Sequence, residues 1–555
     1  MSDTPSSGPL AHLAGFLAHH RQSFWAVFLY ASALGLLSLG TPIAVQALVN
    51  SAAFGSLLQP IVVLSAVVFT VLVVMGVIKA MKSWVVEALQ RRMFAEAVAR
   101  LAYVLPRRDS AQASTLAEPT HRYFEIFSIQ KASASLLLGG VDAVLAAVVG
   151  LLVLAFYHPL LLAFDVALMV AIVVIVFGLG RSGVATAIAE SSAKYELASF
   201  LSEVERAPLA FRDDIGERFA HGRLDALTGA YLSARSSHYR VVLRQLIGAL
   251  GTQALASATL LGLGGFLVIS GELTLGQLVA AELIVTAVVS ALSDLGKHLE
   301  TYYDLVAGVY KLDQALDLPI EREREEPGSL DVASGPAALS LLDVRLSLGT
   351  RMLLDRASFT LPRGARALLF GPPESGKTSV LELLYGLRRA SSGVVLLDGV
   401  DTHELDRAAL RRRVAVVLGP ELIPGTITEN VRLGNPALSS GAVRAVLEQL
   451  GLLAELAHLP DGLDTRIGKG GCTLSYSQAL RITLARAMAR SPGLLAVDAD
   501  FASMAHSAVE VVLRALTRPD APWTLIVVGD TSVLRALSTH ELHLADGRFE
   551  LGAAS

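Results

Sequence analysis

Six apolar stretches dominate the first 300 residues of this 555-residue chain. Each is long enough to cross a hydrocarbon core of ~30 Å as a helix. They fall at about 23–50, 57–80, 134–156, 159–180, 246–270 and 277–298. Backbone in lipid has to satisfy its own hydrogen bonds, so runs of this length restrict the first half of the chain to an α-helical bundle. The connections alternate in character. The short ones, Ser51 to Gly55, Tyr157 to Pro159 and Ser270 to Gly276, contain no Lys or Arg, whereas the segments near 81–133 and 181–245 are rich in both. Lys82, Arg91, Arg92, Arg181, Arg212 and Arg244 belong to these basic segments, which the positive-inside rule places in the cytoplasm. Helical periodicity in the same segments predicts that the membrane helices extend beyond the bilayer, with turns near 109–120 and 205–216.

The apolar residues, 53% of the chain, thin out after position 300. A polar linker is expected at 323–337, separating a six-helix membrane domain at 1–322 from a domain at 338–555. There, strand-like and helix-like runs alternate, the pattern of an α/β fold with a largely parallel sheet. Within it, Gly371-Pro-Pro-Glu-Ser-Gly-Lys-Thr378 fits the phosphate-loop pattern, after a strand-like run ending at Phe370 and before a helix-like run from Ser379. Gly371, Ser375, Gly376 and Ser379 frame the phosphates, Lys377 reaches toward the terminal ones, and Thr378 offers its hydroxyl to Mg²⁺. The chain is therefore expected to bind a nucleoside triphosphate.

Other features bound the function. A net charge of −4 with no basic patch interleaved with aromatics argues against nucleic acid as a partner. The single cysteine, Cys472, has no partner for an internal disulfide and no metal-ligand spacing, so a small buried or half-buried residue without chemistry is expected. The first 20 residues lack the cationic start and cleavage site of a secretory signal, so the N-terminus is expected to stay in place on the cytoplasmic side. Asp142, Asp165 and Glu282 lie inside apolar runs. By default such carboxylates face a bundle interior or a wet cavity; the alternative is a position near a membrane edge, or a protonated acid.

Six spans with long cytoplasmic extensions and a following phosphate-loop domain resemble the half-transporter layout of ABC exporters. Thr41-Pro-Ile-Ala-Val-Gln46 and the segment Gly271 to Val279 resemble the type I secretion and bacteriocin-exporter branch. Gly425 to Val431, Leu474-Ser-Tyr-Ser-Gln478, Ala485-Arg-Ala487 and Leu494 to Asp498 resemble the nucleotide-domain motifs. The resemblance implies an α-helical membrane domain of six transmembrane helices fused to an α/β P-loop nucleotide-binding domain. It also implies ATP and Mg²⁺ as ligands, with Thr378 and Asp498 on the metal side. The implied setting is the inner membrane. The implied partners are a second half-transporter, identical or not, and in the secretion branch a periplasmic adaptor and an outer-membrane channel.

Departures from that pattern bear on the chemistry. The adenine-stacking aromatic is Leu348, and the glutamine that links Mg²⁺ and water to the membrane domain is Leu418. The signature glycines are Tyr476 and Ser477, between Leu474-Ser475 and Gln478. The general-base glutamate is Ala499, the switch histidine is Asp530, and the dimer-contact aspartate is Ala505. In the phosphate loop Glu374 replaces a glycine, and Pro373 has no N–H to offer. Alanine cannot take a proton, and an anion at Asp530 would repel the γ-phosphate. These changes predict a transport subunit that binds ATP and hydrolyses it poorly. The alternatives are a regulatory or structural membrane protein without transport of its own, and an ordinary exporter with an unrecognised base.

Overall fold

The computed structural model describes residues 9–53, 58–108, 124–316, 320–321, 335–468 and 473–553. The expected turn at 109–120, most of the linker at 323–337 and Cys472 lie outside the described residues. The chain divides into a helical unit ending at Ile320 and a second unit beginning at Glu321. Each is taken by itself.

The helical unit opens with α1 (Pro9–His19), α2 (Arg21–Ser38), α3 (Gly40–Ala53) and α4 (Leu58–Val104). Among the described residues five helical segments are long and apolar enough to cross a membrane: Arg21–Ser51, Ile61–Arg107, Glu125–Ala155, Pro159–Arg206 and Asp214–Ile269. The helix Leu275–Ser293 follows, with a shorter apolar run over Leu275–Val288. At 1.5 Å per residue, the 47 residues of α4 reach ~70 Å and the 56 residues of Asp214–Ile269 reach ~84 Å, more than twice a bilayer core.

The character of α4 changes along its length. Its apolar first half is exposed on many sides, at Val62, Phe69, Val73 and Val77 among others, as a lipid-facing helix should be. Further on the pattern becomes amphipathic. Val86, Leu89, Met93, Ala97 and Leu101 recur every three or four residues and pack with Ile126, Ile129, Val306, Val309 and Leu312. A packed extension thus continues directly from an exposed span. The helix Gly183–Arg206 stops before Pro208, a single 3₁₀ turn spans Pro208–Phe211, and Asp213 accepts the Gly216 N–H at 2.6 Å to start the next helix.

The second unit contains β1 (Leu339–Leu348), β2 (Arg351–Leu361), β3 (Arg366–Phe370), β4 (Ser392–Leu397), β5 (Val400–Asp401), β6 (Val414–Val417), β7 (Gly425–Thr426), β8 (Arg466–Ile467), β9 (Leu494–Asp498), β10 (Thr524–Val528), β11 (His540–Ala545) and β12 (Arg548–Ala553). The central sheet runs β12-β11-β3-β10-β9-β6, with β11, β3, β10, β9 and β6 parallel and β12 an antiparallel edge. An antiparallel sheet, β2-β1-β4-β5, lies beside it.

The parallel strands are buried on both faces, so their residues alternate between two cores. Leu368, Leu495, Val497, Leu525 and Val527 pack toward the helices Ile427–Arg432, Ser440–Gln449, Tyr476–Met488 and His506–Leu516. Ala367, Leu369, Leu494, Ala496, Ile526 and Val528 pack toward β1, β2 and the helix Lys377–Leu384. This is why the strands read as continuous apolar runs instead of alternating ones. The loops after β3, β9 and β10 open at the same end of neighbouring parallel strands, where α/β sheets place their ligands.

Candidate functional site

The loop after β3 turns sharply at Gly371, whose φ is 151°. A Cβ at Gly371 would stand 2.1 Å from the carbonyl oxygen of Leu544 on β11, so no larger residue fits without moving a strand. Glu374 adopts φ 61°, the left-handed region where glycine is at ease. Its carboxylate pairs with Arg351 at 3.0 Å and its carbonyl oxygen accepts from the same guanidinium at 3.2 Å, which offsets part of the backbone cost. Gly376, φ 99°, leads into the helix Lys377–Leu384. Lys377 Nζ folds over the loop and donates to the carbonyl oxygens of Gly371 at 3.1 Å and Pro372 at 2.6 Å and to Ser375 Oγ at 3.3 Å. Thr378 and Ser379 occupy the first turn of that helix.

Across β10, Asp498 ends β9, and its Oδ2 accepts the Thr378 hydroxyl at 2.5 Å. A hydroxyl and a carboxylate at that spacing, beside a phosphate loop, fit a hard, oxygen-preferring cation such as Mg²⁺. Ala499 follows and lies against the apolar core. Asp500 is engaged within its own loop. Its Oδ1 accepts the Ala502 N–H at 3.1 Å, its Oδ2 accepts the Ser503 hydroxyl, and both bonds hold the 3₁₀ turn Phe501–Ser503.

Asp530 follows β10 and is not the bare anion expected from the sequence. Arg535 Nη2 donates to its Oδ1 at 2.6 Å, and Arg535 Nη1 donates to Glu541 at 2.9 Å. The Asp530 hydrogen bond raises the guanidinium pKa above its ordinary value. The guanidinium also sits 4.5 Å from the ring centroid of Phe370, at the end of the strand that enters the phosphate loop. The repulsion expected of Asp530 is therefore reduced by a fixed counter-charge, held in place by three contacts.

The signature segment also differs from a simple bulky replacement. Ser475 caps the helix Tyr476–Met488 by accepting the Gln478 N–H at 3.2 Å, and the Gln478 side chain accepts the Ser475 N–H at 3.1 Å. Tyr476 turns back onto its own unit, where its hydroxyl accepts the Asp500 N–H at 3.1 Å. Ser477 has a buried hydroxyl oxygen without a hydrogen-bond partner among the described residues. Gln478 also donates to Glu455 at 3.3 Å, and the hydrogen bonds from Arg481 hold the Glu455 carboxyl below its usual range. Leu474 packs at the edge of the core. Leu348 and Leu418 are about half exposed, at 49% and 45%, so each offers an open apolar surface.

Residues 354–501 match the ABC transporter family. The whole fold superposes on a bacterial Atm1-family ABC exporter with ATP bound, with a TM-score of 0.82 over 96% of this chain and 95% of that one at 19% identity. The chain has the architecture of an ABC exporter half-transporter. Among sequence relatives, the mycobactin import ATP-binding/permease protein IrtB of Mycolicibacterium thermoresistibile is 32% identical over 54% of this chain and 52% of that protein. The leukotoxin export ATP-binding protein LtxB of Aggregatibacter actinomycetemcomitans is 27% identical over 52% of this chain and 41% of that one. The chain thus spans about half the length of the curated relatives it matches, or somewhat less.

In the helical unit the three carboxylates have different surroundings. Asp142 pairs with Lys82, which is buried at 1% exposure. Lys82 was expected on a cytoplasmic extension; here it closes an ion pair between α4 and the helix Val141–Ala155. Asp165 is buried at 6% exposure, and neither of its oxygens has a hydrogen-bond partner among the described residues. Glu282 has one such oxygen, Oε2. The sequence shows Lys82 as one of the cations that follow an apolar run, but nothing in the run names Asp142 as its partner.

Proposed function

We propose that this half-transporter is a membrane transport subunit whose nucleotide site binds Mg-ATP and turns it over poorly. The observation that carries the reading is the surroundings of Asp498. Its bond to Thr378 at 2.5 Å keeps the metal side of the site together, while Ala499 offers no proton acceptor and Asp500 is engaged in a turn. A general base supplies ~10²–10⁴-fold in rate. In this architecture each ATP is held between the phosphate loop of one copy and the signature of another. A homodimer would repeat the same defects at both sites. A heterodimer with an intact half-transporter would carry one defect at each site, because Ala499 affects one and Tyr476 with Ser477 affects the other.

The membrane setting is an inner-membrane bilayer, with the N-terminus and the nucleotide unit in the cytoplasm. Asp165 and Glu282 are the carboxylates suited to meet a polar cargo group, since each keeps an oxygen without a hydrogen-bond partner among the described residues. The relatives include an import protein and an export protein, so direction and cargo do not carry over from them. A periplasmic adaptor and an outer-membrane channel are the partners to seek if the chain belongs to the secretion branch. A regulatory protein that uses ATP only as a ligand is the second reading, favoured by the joint change at Ala499 and Leu418.

The test uses the purified full chain in proteoliposomes. Binding of a fluorescent ATP analogue should require Mg²⁺ and fall on Lys377→Ala, while ATP turnover stays near background. Ala499→Glu should raise turnover by less than about tenfold, since Leu418 and Asp530 still replace the other water-handling groups. Turnover of the unmodified chain at ~1–10 s⁻¹, abolished by Lys377→Ala, would refute the reading.

A further inference from the structure

The corner between α1 and α2 is a single residue, His20, and the last residue of α1 is His19. So tight a corner places two adjacent imidazoles on one side of the chain, with ring centroids 4.9 Å apart. Both face Glu96 on α4. The Nε2 of His19 lies 3.3 Å from Glu96 Oε2, and the Nε2 of His20 lies 3.8 Å from the same oxygen. The other carboxylate oxygen, Oε1, accepts from Arg92 Nε at 2.7 Å, so the carboxylate is oriented with one oxygen toward the two rings.

These three residues line a cavity of about 570 Å³ whose wall also includes Met93, Arg100 and the ion pair His12–Asp313, 2.7 Å apart. His20 sits deep in the wall, with its side chain 5% exposed, and His19 sits at the mouth at 66%. One ligand is therefore held rigidly by packing and another is reachable from solvent.

We propose that His19, His20 and Glu96 form a binding site for a divalent transition-metal ion of the Zn²⁺ class, which fastens α1 to α4. The three ligating atoms lie within 4.8 Å of one another. Metal–ligand bonds of ~2.0–2.1 Å in a tetrahedron require ligand atoms about 3.3 Å apart, so the 3.3 Å pair is already at that spacing and the other distances, 3.8 Å and at most 4.8 Å, close by up to about 1.5 Å. Two imidazoles and one carboxylate suit Zn²⁺, Co²⁺ or Ni²⁺. They do not suit Ca²⁺ or Mg²⁺, which take oxygen ligands, or Cu⁺, which takes sulfur. With three protein ligands, the fourth position opens to the cavity. The ion would tie the first helix of the chain to the extension of α4 just before the apolar segment that begins at Arg21.

The experiment takes the purified full chain in detergent, stripped with a chelator, and titrates Zn²⁺ against a chromophoric competitor. Co²⁺ substitution supplies a d–d absorption spectrum as an independent readout. The expected result is one ion per chain at micromolar affinity or tighter. His19→Ala and Glu96→Gln should each weaken it at least about tenfold, and His221→Ala, an exposed histidine far along the chain, should not. Zn²⁺ should raise the thermal midpoint of the unmodified chain and leave that of His19→Ala unchanged. His19 is mostly exposed, so its replacement keeps the fold, which an unchanged size-exclusion profile verifies. Absence of Zn²⁺ binding to the unmodified chain, superimposable titrations for the His19→Ala variant, or an equal loss on His221→Ala would each overturn the proposal.

Discussion

Lys82 and Asp142 form an ion pair whose two ends are buried to different depths, with side-chain exposures of 1% and 27%. That asymmetry sets the cost of breaking it from either end. Asp142→Asn leaves an ammonium sealed among apolar helices, and stranding a buried charge costs about 3–5 kcal/mol. Lys82→Met keeps the length of the side chain and strands the carboxylate instead. Asp142 retains more than a quarter of its surface outside the packing, so the cost should be nearer the ~1–3 kcal/mol of a partly relieved polar group. The double replacement, Lys82→Met with Asp142→Asn, removes both charges at nearly constant volume. It should lie within about 1–2 kcal/mol of the unmodified chain, with a large coupling term in the cycle. The assay is equilibrium unfolding of the four proteins in mixed detergent micelles, followed by intrinsic fluorescence and by the fraction that stays monodisperse. If Asp142→Asn is no worse than Lys82→Met, or if the double variant is as unstable as the sum of the two, the pair is not the buried contact argued here.

Gly371→Ala should abolish binding of a fluorescent ATP analogue and lower the yield of folded protein, because its Cβ would meet the Leu544 carbonyl oxygen at 2.1 Å. A variant that binds normally would show that the loop can move away from β11. Arg535→Ala should weaken ATP binding by freeing the Asp530 carboxylate, and more so at low salt, where the charge is less screened. Asp530→Asn added to Arg535→Ala should recover most of that loss; no recovery would mean that Arg535 acts through its packing on Phe370. ATP and GTP should compete within a few-fold, because Leu348 presents apolar surface and no ring for stacking. A strong preference for ATP in the competition assay would point to a base-recognition group elsewhere.

Much of the architecture was legible because it depends on spacing along the chain. An apolar run of about 20 residues has to be a helix in lipid, and the runs near 57–80 and 246–270 sit within the helices Leu58–Val104 and Asp214–Ile269. The phosphate loop is equally local. Gly371, Lys377 and Thr378 lie within eight residues, although the Leu544 carbonyl oxygen that excludes a side chain at Gly371 belongs to the remote strand β11. The absence of a base at position 499 is likewise written in a single letter.

What the tertiary structure alone decided is which distant group meets which. Lys82 reads as one more cation on a basic segment until packing seals it against a carboxylate 60 residues away. Asp530 reads as a repulsive anion until Arg535 is seen to hold it, and Tyr476 reads only as the replacement of a signature glycine until its hydroxyl is found on the Asp500 N–H. His19 and His20 carry no ligand spacing in the sequence, because their third partner, Glu96, lies on another helix. Local conformation follows from residues a few positions apart, whose separation the covalent chain limits. The charge state, reach and partners of a side chain depend on contacts between remote segments, and those distances exist only once the apolar faces of the helices and strands have packed.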